Sequence, residues 1–432
     1  MHRRLLRELE QRATGGTPLR FALAGAGKFG TMLLAQARGL PGLEPSGICE
    51  VDPGRARHAL ATAGWDPSRV PISNDLHELL GGSDVVVEAT GSPVAGVDHA
   101  LAAIGAGCHV VMVTVEADAL VGPVLARAAA EAGVTYSLAY GDQPALVCEL
   151  VDWARLAGFD VTCAGKGTKY LPAYHASTPD TVWDHYGLTA SAALAAGMSP
   201  RMFNSFLDGT KSAIEMAAVC NAAGLEPPSN GLQFPPCPAG SLAEVCIPRA
   251  AGGVLERPAT VEVVSSLERD GTPFPDDLRW GVFVTFSAPS RYTASCFREY
   301  GIPTDRSGTF AALYRPFHLI GLETSVSIAS AGLLGEPTGR PDAFRADVVA
   351  TAKRDLAPGE LLDGEGGYTV WGALSPARAS VAARQLPIGL ADGLRILRPV
   401  PTGQRLSWDD VAKPPESAAC RLRRELERSL FA

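Results

Sequence analysis

A chain of 432 residues is too long for one ordinary core, which sets an expectation of two or three domains. Apolar residues at 46% and charged residues at 19% are the balance of a soluble globular protein, and a net charge of −8 gives no reason to expect nucleic acid as a partner. No apolar run reaches spanning length without Gly, Pro or charge, and the nine cysteines form no CxxC pair, so membrane insertion, a zinc ribbon and a disulfide framework all fall away.

Met1–Glu10 reads as a charged amphipathic helix with Arg3, Arg4, Arg7, Glu8 and Glu10, not as a signal peptide, which points to the reducing cytoplasm. Residues 19–150 then alternate short β-branched runs with Ala/Leu-rich stretches. Strands are predicted at Leu19–Ala24, Pro45–Glu50, Asp84–Glu88, His109–Val113 and Thr135–Leu138, with helices at Thr31–Arg38, Arg55–Ala63, Val94–Ala106 and Val121–Ala132. This is the pattern of a doubly wound parallel sheet, an N-terminal Rossmann domain over residues 1–150.

Gly25, Gly27 and Gly30, with Lys28 and Phe29 between them, follow the first strand directly and open its helix. Glycine permits the tight turn, backbone approach to a pyrophosphate and close helix–strand contact, while the helix N-terminus supplies positive potential. NADPH or NADH is the cofactor expected there. Glu50 could accept from the adenosine ribose, whereas Arg55 and Arg57 could hold a 2′-phosphate, so the preference stays open. Thr90 and Gly91, at the end of the Asp84–Glu88 strand, are further cofactor contacts.

Beyond Leu150 the character changes to an α+β region over 151–340, expected to hold substrate and catalysis and to form dimers. A loop-rich stretch over Gly165–Pro179 precedes a helix at Pro200–Gly224, a Pro-rich segment at Glu226–Pro238, strands at Ala259–Ser265 and Trp280–Phe286, and a long helix at Phe317–Leu334. A small β-rich domain over 341–412 has strands at Asp347–Lys353 and Leu390–Pro399, and residues 413–432 form a solvated, charged tail.

Two lysines among glycines, Lys166 and Lys169, suit a loop that wraps an anion, with Lys169 also able to donate a proton and steady charge on oxygen. His175 and Ser177 add polar atoms nearby. Asn204, Ser205, Asp208, Lys211 and Glu215 recur at helical spacing and place an amide, a hydroxyl, two acids and an amine on one face. Asp208, Lys211 and Glu215 are catalytic candidates, and Asn204 and Ser205 substrate contacts, together with Arg315 and His318. Asp142, Glu149, Asp208 and Glu215 are the carboxylates available to a hard cation, Mg²⁺ or Mn²⁺, although no fixed-spacing metal motif joins them. For each cluster the alternative is an ordinary solvated surface.

The N-terminal glycine motif, "VVVEATG", "GCHVVMVTVEA" and "GKGTKYL" resemble the homoserine dehydrogenase superfamily over residues 19 to about 225. The chain departs from that pattern at Thr114 and Val115, where the family has Asn and a functional Lys, which argues against homoserine itself. "AYGDQPALVCELVDWAR", "GKGTKYLPAYHASTPDTVW", "FNSFLDGTKSAIEMA" and "LYRPFHLIGLE" resemble more closely a group that includes deoxyxylulose-phosphate-reductoisomerase-like enzymes of isoprenoid synthesis. Arg354, Asp355, Leu356, Pro358 and Gly359 are similar to the basic-Asp-Leu and Pro-Gly turn of SAF-type β-clip modules. The resemblance implies an NAD(P)H-dependent reductoisomerase of a small phosphorylated sugar. A homodimer acting on an anionic small molecule is expected. A dehydrogenase of a hydroxy acid or semialdehyde is the second reading, and a nucleotide-sensing regulator the third.

Overall fold

Six apolar runs form the first sheet: β1 (Leu19–Ala24), β2 (Leu43–Cys49), β3 (Ile72–Ser73), β4 (Val85–Glu88), β5 (His109–Met112) and β6 (Tyr136–Leu138). All neighbours are parallel, in the order β3-β2-β1-β4-β5-β6. Because helices cover both faces, central strands are apolar on both sides. Phe21, Leu23, Val85, Val87 and Val111 are accordingly buried with Leu33, Leu34 and Leu60 from the flanking helices. Register pairs Ala24 with Glu88, so the ends of β1 and β4 lie side by side. This is the doubly wound Rossmann sheet.

The computed structural model describes residues 2–430, which pack as two compact units. The first comprises the N-terminal stretch through Leu146, Leu319–Asp342 and the segment from Ser417. Two expectations change here. The apolar run 317–334 is helical only over Ser325–Leu334, because Gly321 turns the chain at φ +80°; Ile328 and Ala329 of that helix join the sheet's core. The tail is not a solvated appendage either. Its helix Ala418–Ser429 buries Leu422, Arg423 and Leu426 and packs against the helix Val115–Glu131, and Arg127 pairs with Glu425. Arg423, 1% exposed, donates to Glu427 at 2.8 Å.

The second unit is Val147–His318 with Ala343–Glu416. Its sheet contains β7 (Asp160–Thr168), β8 (Thr260–Ser265), β9 (Val282–Ser287) and β10 (Phe310–Arg315), in the order β10-β9-β7-β8. β7 runs parallel to β8 and antiparallel to β9. The start of the stretch expected to be a lysine loop is therefore strand. Its glycines serve packing: a Cβ on Gly165 would lie 1.8 Å from the Glu262 carbonyl oxygen, and one on Gly167 2.0 Å from that of Leu278. The helix expected over 200–224 is broken into Pro200–Leu207 and Thr210–Ala223, with Gly209 at φ +91° between them. The single polar face inferred from spacing is thereby split.

The antiparallel pair β11 (Ala346–Ala352) and β12 (Val370–Pro376) belongs to this second unit. The helix Thr210–Ala223 binds it directly: Gly372 N–H donates to Thr210 Oγ1 at 2.8 Å, and Ala346 N–H to Asn221 Oδ1 at 3.0 Å. No strand forms over 390–399; that stretch makes isolated bridges such as Ile396 with Val411. In the turn that follows β11, Asp355 Oδ1 accepts from Thr402 N–H at 2.8 Å and Arg354 pairs with Glu360 at 2.7 Å.

Overpacking against backbone cannot relax by side-chain rotation and costs ~1–3 kcal/mol or more. Gly165→Ala should lower the melting temperature by about 5 °C or more, whereas Gly81→Ala, where a Cβ meets nothing within 4 Å, should leave it unchanged. Equal melting temperatures for the two variants would contradict the close β7–β8 approach.

Candidate functional site

In the first unit the glycine motif has the geometry a dinucleotide needs. Gly25 sits at φ +97°, and a Cβ on it would lie 2.5 Å from the Ala89 carbonyl oxygen. A Cβ on Gly30 would lie 2.5 Å from the Gly25 carbonyl oxygen, so the helix is drawn against its own strand. At Gly27, by contrast, a Cβ meets nothing within 4 Å. Gly27 is the N-cap of the helix Lys28–Ala37 and supplies no side-chain acceptor, which leaves the positive helix end open to a phosphate. Lys28 is exposed there, and Phe29 packs on the core.

Glu50 is only 7% exposed and already has partners on both oxygens. Oε2 accepts from Ala26 N–H at 2.9 Å; Oε1 accepts from Asp52 N–H at 3.2 Å and lies 3.3 Å from the Arg55 guanidinium. It ties the end of β2 to the glycine turn. At the end of β4, Thr90 Oγ1 donates to Glu88 Oε1 at 2.5 Å, and Gly91 N–H, at φ +74°, donates to Thr114 Oγ1 at 3.0 Å. Glu88 is fully buried, its Oε1 lies 3.4 Å from His99 Nδ1, and its Oε2 lacks a hydrogen-bond partner. Burial opposes charge on His99, but hydrogen bonds to Cys49 and Glu88 and the Glu88 charge outweigh it and raise its pKa to about 9. Sequence reading passed over His99, which nothing in its helix distinguishes from a surface residue.

In the second unit the buried polar groups form a cluster around Asp208. Its carboxylate, 0% exposed, lies 2.7 Å from the Lys353 ammonium, and Oδ1 accepts from Thr210 N–H at 2.9 Å. Burial drives the Asp208 pKa up, and Lys353 opposes that rise. Lys353 Nζ also donates to the carbonyls of Ser177 at 2.7 Å and Gly367 at 2.8 Å. Asn204 completes the set, donating to Ser177 and Gly366 carbonyls and accepting from Ser177 Oγ at 2.7 Å. His175 stacks on Trp371 at 3.8 Å, with Nδ1 2.6 Å from the Asp208 carbonyl and Nε2 2.9 Å from Tyr170 Oη. A carbonyl only accepts, so Nδ1 carries the proton and Nε2 accepts from tyrosine; burial keeps the ring's pKa low. Lys353 was missed because it stands at the end of a predicted strand and its partner, Asp208, lies far away in sequence.

The other expected residues separate. Lys166 does not line an anion loop: it is 5% exposed and paired with Glu215 across β7 and the helix Thr210–Ala223, so neither group is free for the role assigned to it. Ser205 Oγ donates to Met202 within its own helix at 2.8 Å, and Lys211 is half-buried at the start of the next. Lys169 lies elsewhere, donating to the His185 carbonyl, its ammonium 5.6 Å from the Tyr186 ring centre. Arg315 lies over Phe317 at 5.4 Å, and His318 Nδ1 is 2.7 Å from the Trp280 carbonyl oxygen. Asp142 accepts from Gln143 N–H, and Glu149 is exposed. Among the described residues no three His, Cys, Asp or Glu side chains converge on one point, and of the carboxylates considered for Mg²⁺ or Mn²⁺, Asp208 and Glu215 are each paired with a lysine.

Residues 25–139 match the family model of the homoserine dehydrogenase NAD binding domain, and residues 141–324 that of the oxidoreductase DRL catalytic domain. A 4-hydroxy-tetrahydrodipicolinate reductase of Anaeromyxobacter dehalogenans is 38% identical over 89 residues, 20% of this chain and 33% of that enzyme. The chain thus spans about a third of the length of the curated relatives it matches. Among solved structures, the yvaA protein of Bacillus subtilis shares 14% identity with a TM-score of 0.38, covering 74% of this chain and 89% of that one. An inositol dehydrogenase homolog of Azotobacter vinelandii, solved with NADH and myo-inositol, shares 21% identity with a TM-score of 0.29, covering 39% and 47%. The chain carries an NAD-binding domain of the homoserine dehydrogenase type and, after it, a DRL-type oxidoreductase catalytic domain.

A histidine pKa raised from 6.5 to about 9 contributes stability that is present in full below 6.5 and lost as pH rises through 9. The melting-temperature advantage of the wild type over His99→Gln should therefore shrink between pH 6.5 and 9.5; a constant gap would mean that His99 is neutral. Removing one partner of a buried pair costs ~3–5 kcal/mol, so Lys353→Met should melt well below the wild type. Lys353→Met combined with Asp208→Asn should recover part of that loss, and a double variant no better than the single would show that the pair is not coupled.

Proposed function

We propose that the chain is an NAD(P)-dependent oxidoreductase that interconverts a C–OH and a C=O group on a small anionic substrate. The observation that carries this reading is the open position at Gly27, on a helix N-terminus with no side-chain cap, beside two glycines packed against backbone. The family matches on either side of residue 140 agree with it. The bound nicotinamide would supply the hydride chemistry. Lys28 to Gly30 would hold the pyrophosphate through backbone N–H groups, and Glu50 would keep the turn in register through Ala26.

In the second unit, burial and the nearby Arg279 charge lower the pKa of Lys169. Such an amine can give up a proton near neutrality more readily than an exposed lysine and can steady negative charge on oxygen. The more specific form of the proposal is a reductoisomerase of the 1-deoxy-D-xylulose 5-phosphate to 2-C-methyl-D-erythritol 4-phosphate type, supported by the near full-length motif resemblance. A dehydrogenase of a hydroxy acid or semialdehyde is the second reading, favoured by the match at residues 25–139. In either case the SAF-like segment contributes Lys353 to the fold of the second unit. The protein is proposed to work as a cytoplasmic homodimer.

Calorimetry with NADH and NADPH tests the core of the proposal. Gly27→Asp should keep its melting temperature, because the added side chain meets no neighbour, yet lose ~10²-fold or more in cofactor affinity through clash and charge repulsion with the pyrophosphate. Unaltered affinity would reject the site. NADPH oxidation with deoxyxylulose phosphate, set against NAD⁺ reduction with unphosphorylated hydroxy acids, separates the two substrate readings.

A further inference from the structure

The carboxylate of Glu88 stands at the carboxyl end of β4, wholly inside the first unit. Two donors of Thr90 turn back to it: the N–H reaches Oε1 at 3.2 Å and Oγ1 reaches the same oxygen at 2.5 Å. Thr90 Oγ1 in turn accepts from Ser92 N–H at 3.3 Å. One acidic side chain thus shapes the turn 89–92. That turn is also a wall of the glycine motif. A Cβ on Gly25 would lie 2.5 Å from the Ala89 carbonyl oxygen and 3.0 Å from Thr90 N. Whatever holds Thr90 in place therefore holds the surface on which Gly25 rests.

A carboxylate so deeply buried needs a partner for its charge. Glu88 Oε2 has no hydrogen-bond partner, and a Cβ on Gly96 would lie 3.2 Å from it, so the helix Pro93–Gly105 closes over that oxygen. Among the described residues, His99 of this helix is the one cation within ion-pair distance, with Nδ1 3.4 Å from Oε1. Burial disfavours charge on the ring, but Cys49 at the end of β2 and Glu88 outweigh it and raise the His99 pKa to about 9. On the neighbouring elements, Arg127 pairs with Glu425, Arg423 with Glu427, and Asp118 accepts from Tyr136 Oη. His109 opens β5, at the far end of that strand from Glu88. While His99 holds its proton, the Glu88–His99 pair is neutral overall. Once that proton leaves, a buried carboxylate remains uncompensated behind the turn, and its field opposes phosphates arriving at the glycine motif.

We propose that Glu88 and His99 are positioning residues for the dinucleotide, and that the proton on His99 is coupled to cofactor binding. This rests on the reading of the glycine motif as an NAD(P) site. It goes beyond that reading by tying affinity to one titratable side chain outside the motif. Linkage is reciprocal: a cofactor that favours the protonated pair takes up part of a proton as it binds near pH 9.

The test is calorimetry of NADH binding to the full chain from pH 7.5 to 9.5, in buffers of different ionisation enthalpy. Wild-type affinity should fall ~3-fold or more across that range, with fractional proton uptake on binding at pH 9. His99→Gln should bind ~5-fold or more weakly at pH 7.5, with a flat profile and no proton uptake. Glu88→Gln should behave alike, and if it does not fold, His99→Gln decides the matter. Cys49→Ala, which keeps the ion pair but removes one influence that raises the His99 pKa, should move the fall to lower pH. A flat wild-type profile overturns the coupling even if His99→Gln binds weakly, because a purely structural role would not titrate. A fall that persists unchanged in His99→Gln overturns it as well. Tight NADH binding with a flat profile rejects the coupling alone, whereas no NADH binding at any pH rejects the cofactor site itself.

Discussion

A carboxylate taken out of water must be paired, and in the second unit that demand falls on Asp208. Its partner, Lys353, comes from the end of β11, so the pair closes a connection that no local preference would make. The same ammonium gathers the carbonyls of Ser177 and Gly367, and Asn204 bridges Ser177 and Gly366. Ion pair and amide together specify one arrangement of the helix break at Gly209, the His175 turn and the β11–β12 connection. Because every donor has a named acceptor, the cluster works as a framework: His175 is held neutral between a carbonyl and a phenol and stacked on Trp371, with no proton to move.

The framework explains why the charges of this unit divide into two kinds. Lys166 and Lys353 each lie against one carboxylate and are consumed by the fold. Lys169 and Arg279 each lie over the Tyr186 ring instead. A cation on a ring face keeps its charge while shedding part of its water. Glycine spacing around Lys166 and Lys169 suggested one anion loop, but the glycines answer to neighbouring backbone. β7 is buried on both faces from Val161 to Gly167, which carries Lys166 into the interior, and the chain leaves the strand before Lys169.

The Rossmann half was legible in the sequence because its signals are local. Apolar runs of strand length, Ala/Leu helices and glycines at fixed offsets each report on a few neighbouring residues, and five strands were found within two residues at either end. Only the two-residue β3 escaped. The second unit resisted for the opposite reason. β7 carries two glycines and four polar side chains, a composition that reads as loop, and it is a strand because β8 and β9 flank it. Asp208 and Glu215 shared a face by helical arithmetic, yet Gly209 at φ +91° ends one helix and begins another, so the arithmetic did not apply across it. Residue types at the candidate site were legible; their pairings, set by contacts between distant segments, were not.

At the end of β2, Glu50 shows how a residue can carry a task besides the one its position suggests. An acid at the end of the second strand is placed to meet a ribose, but here both oxygens are already engaged with the glycine turn, the following backbone and Arg55. Ribose recognition through Glu50 would compete with the bond to Ala26 N–H that shapes the phosphate turn, and each is worth only ~1 kcal/mol net between neutral partners and somewhat more to a charged one. Arg55 stands in the same balance: while it pairs with Glu50 its charge is partly spent, and a 2′-phosphate would draw it away. Under the proposed function, the choice between NADH and NADPH would be a choice between two partners for one guanidinium. The carboxylate that anchors the turn also sets how available that guanidinium is.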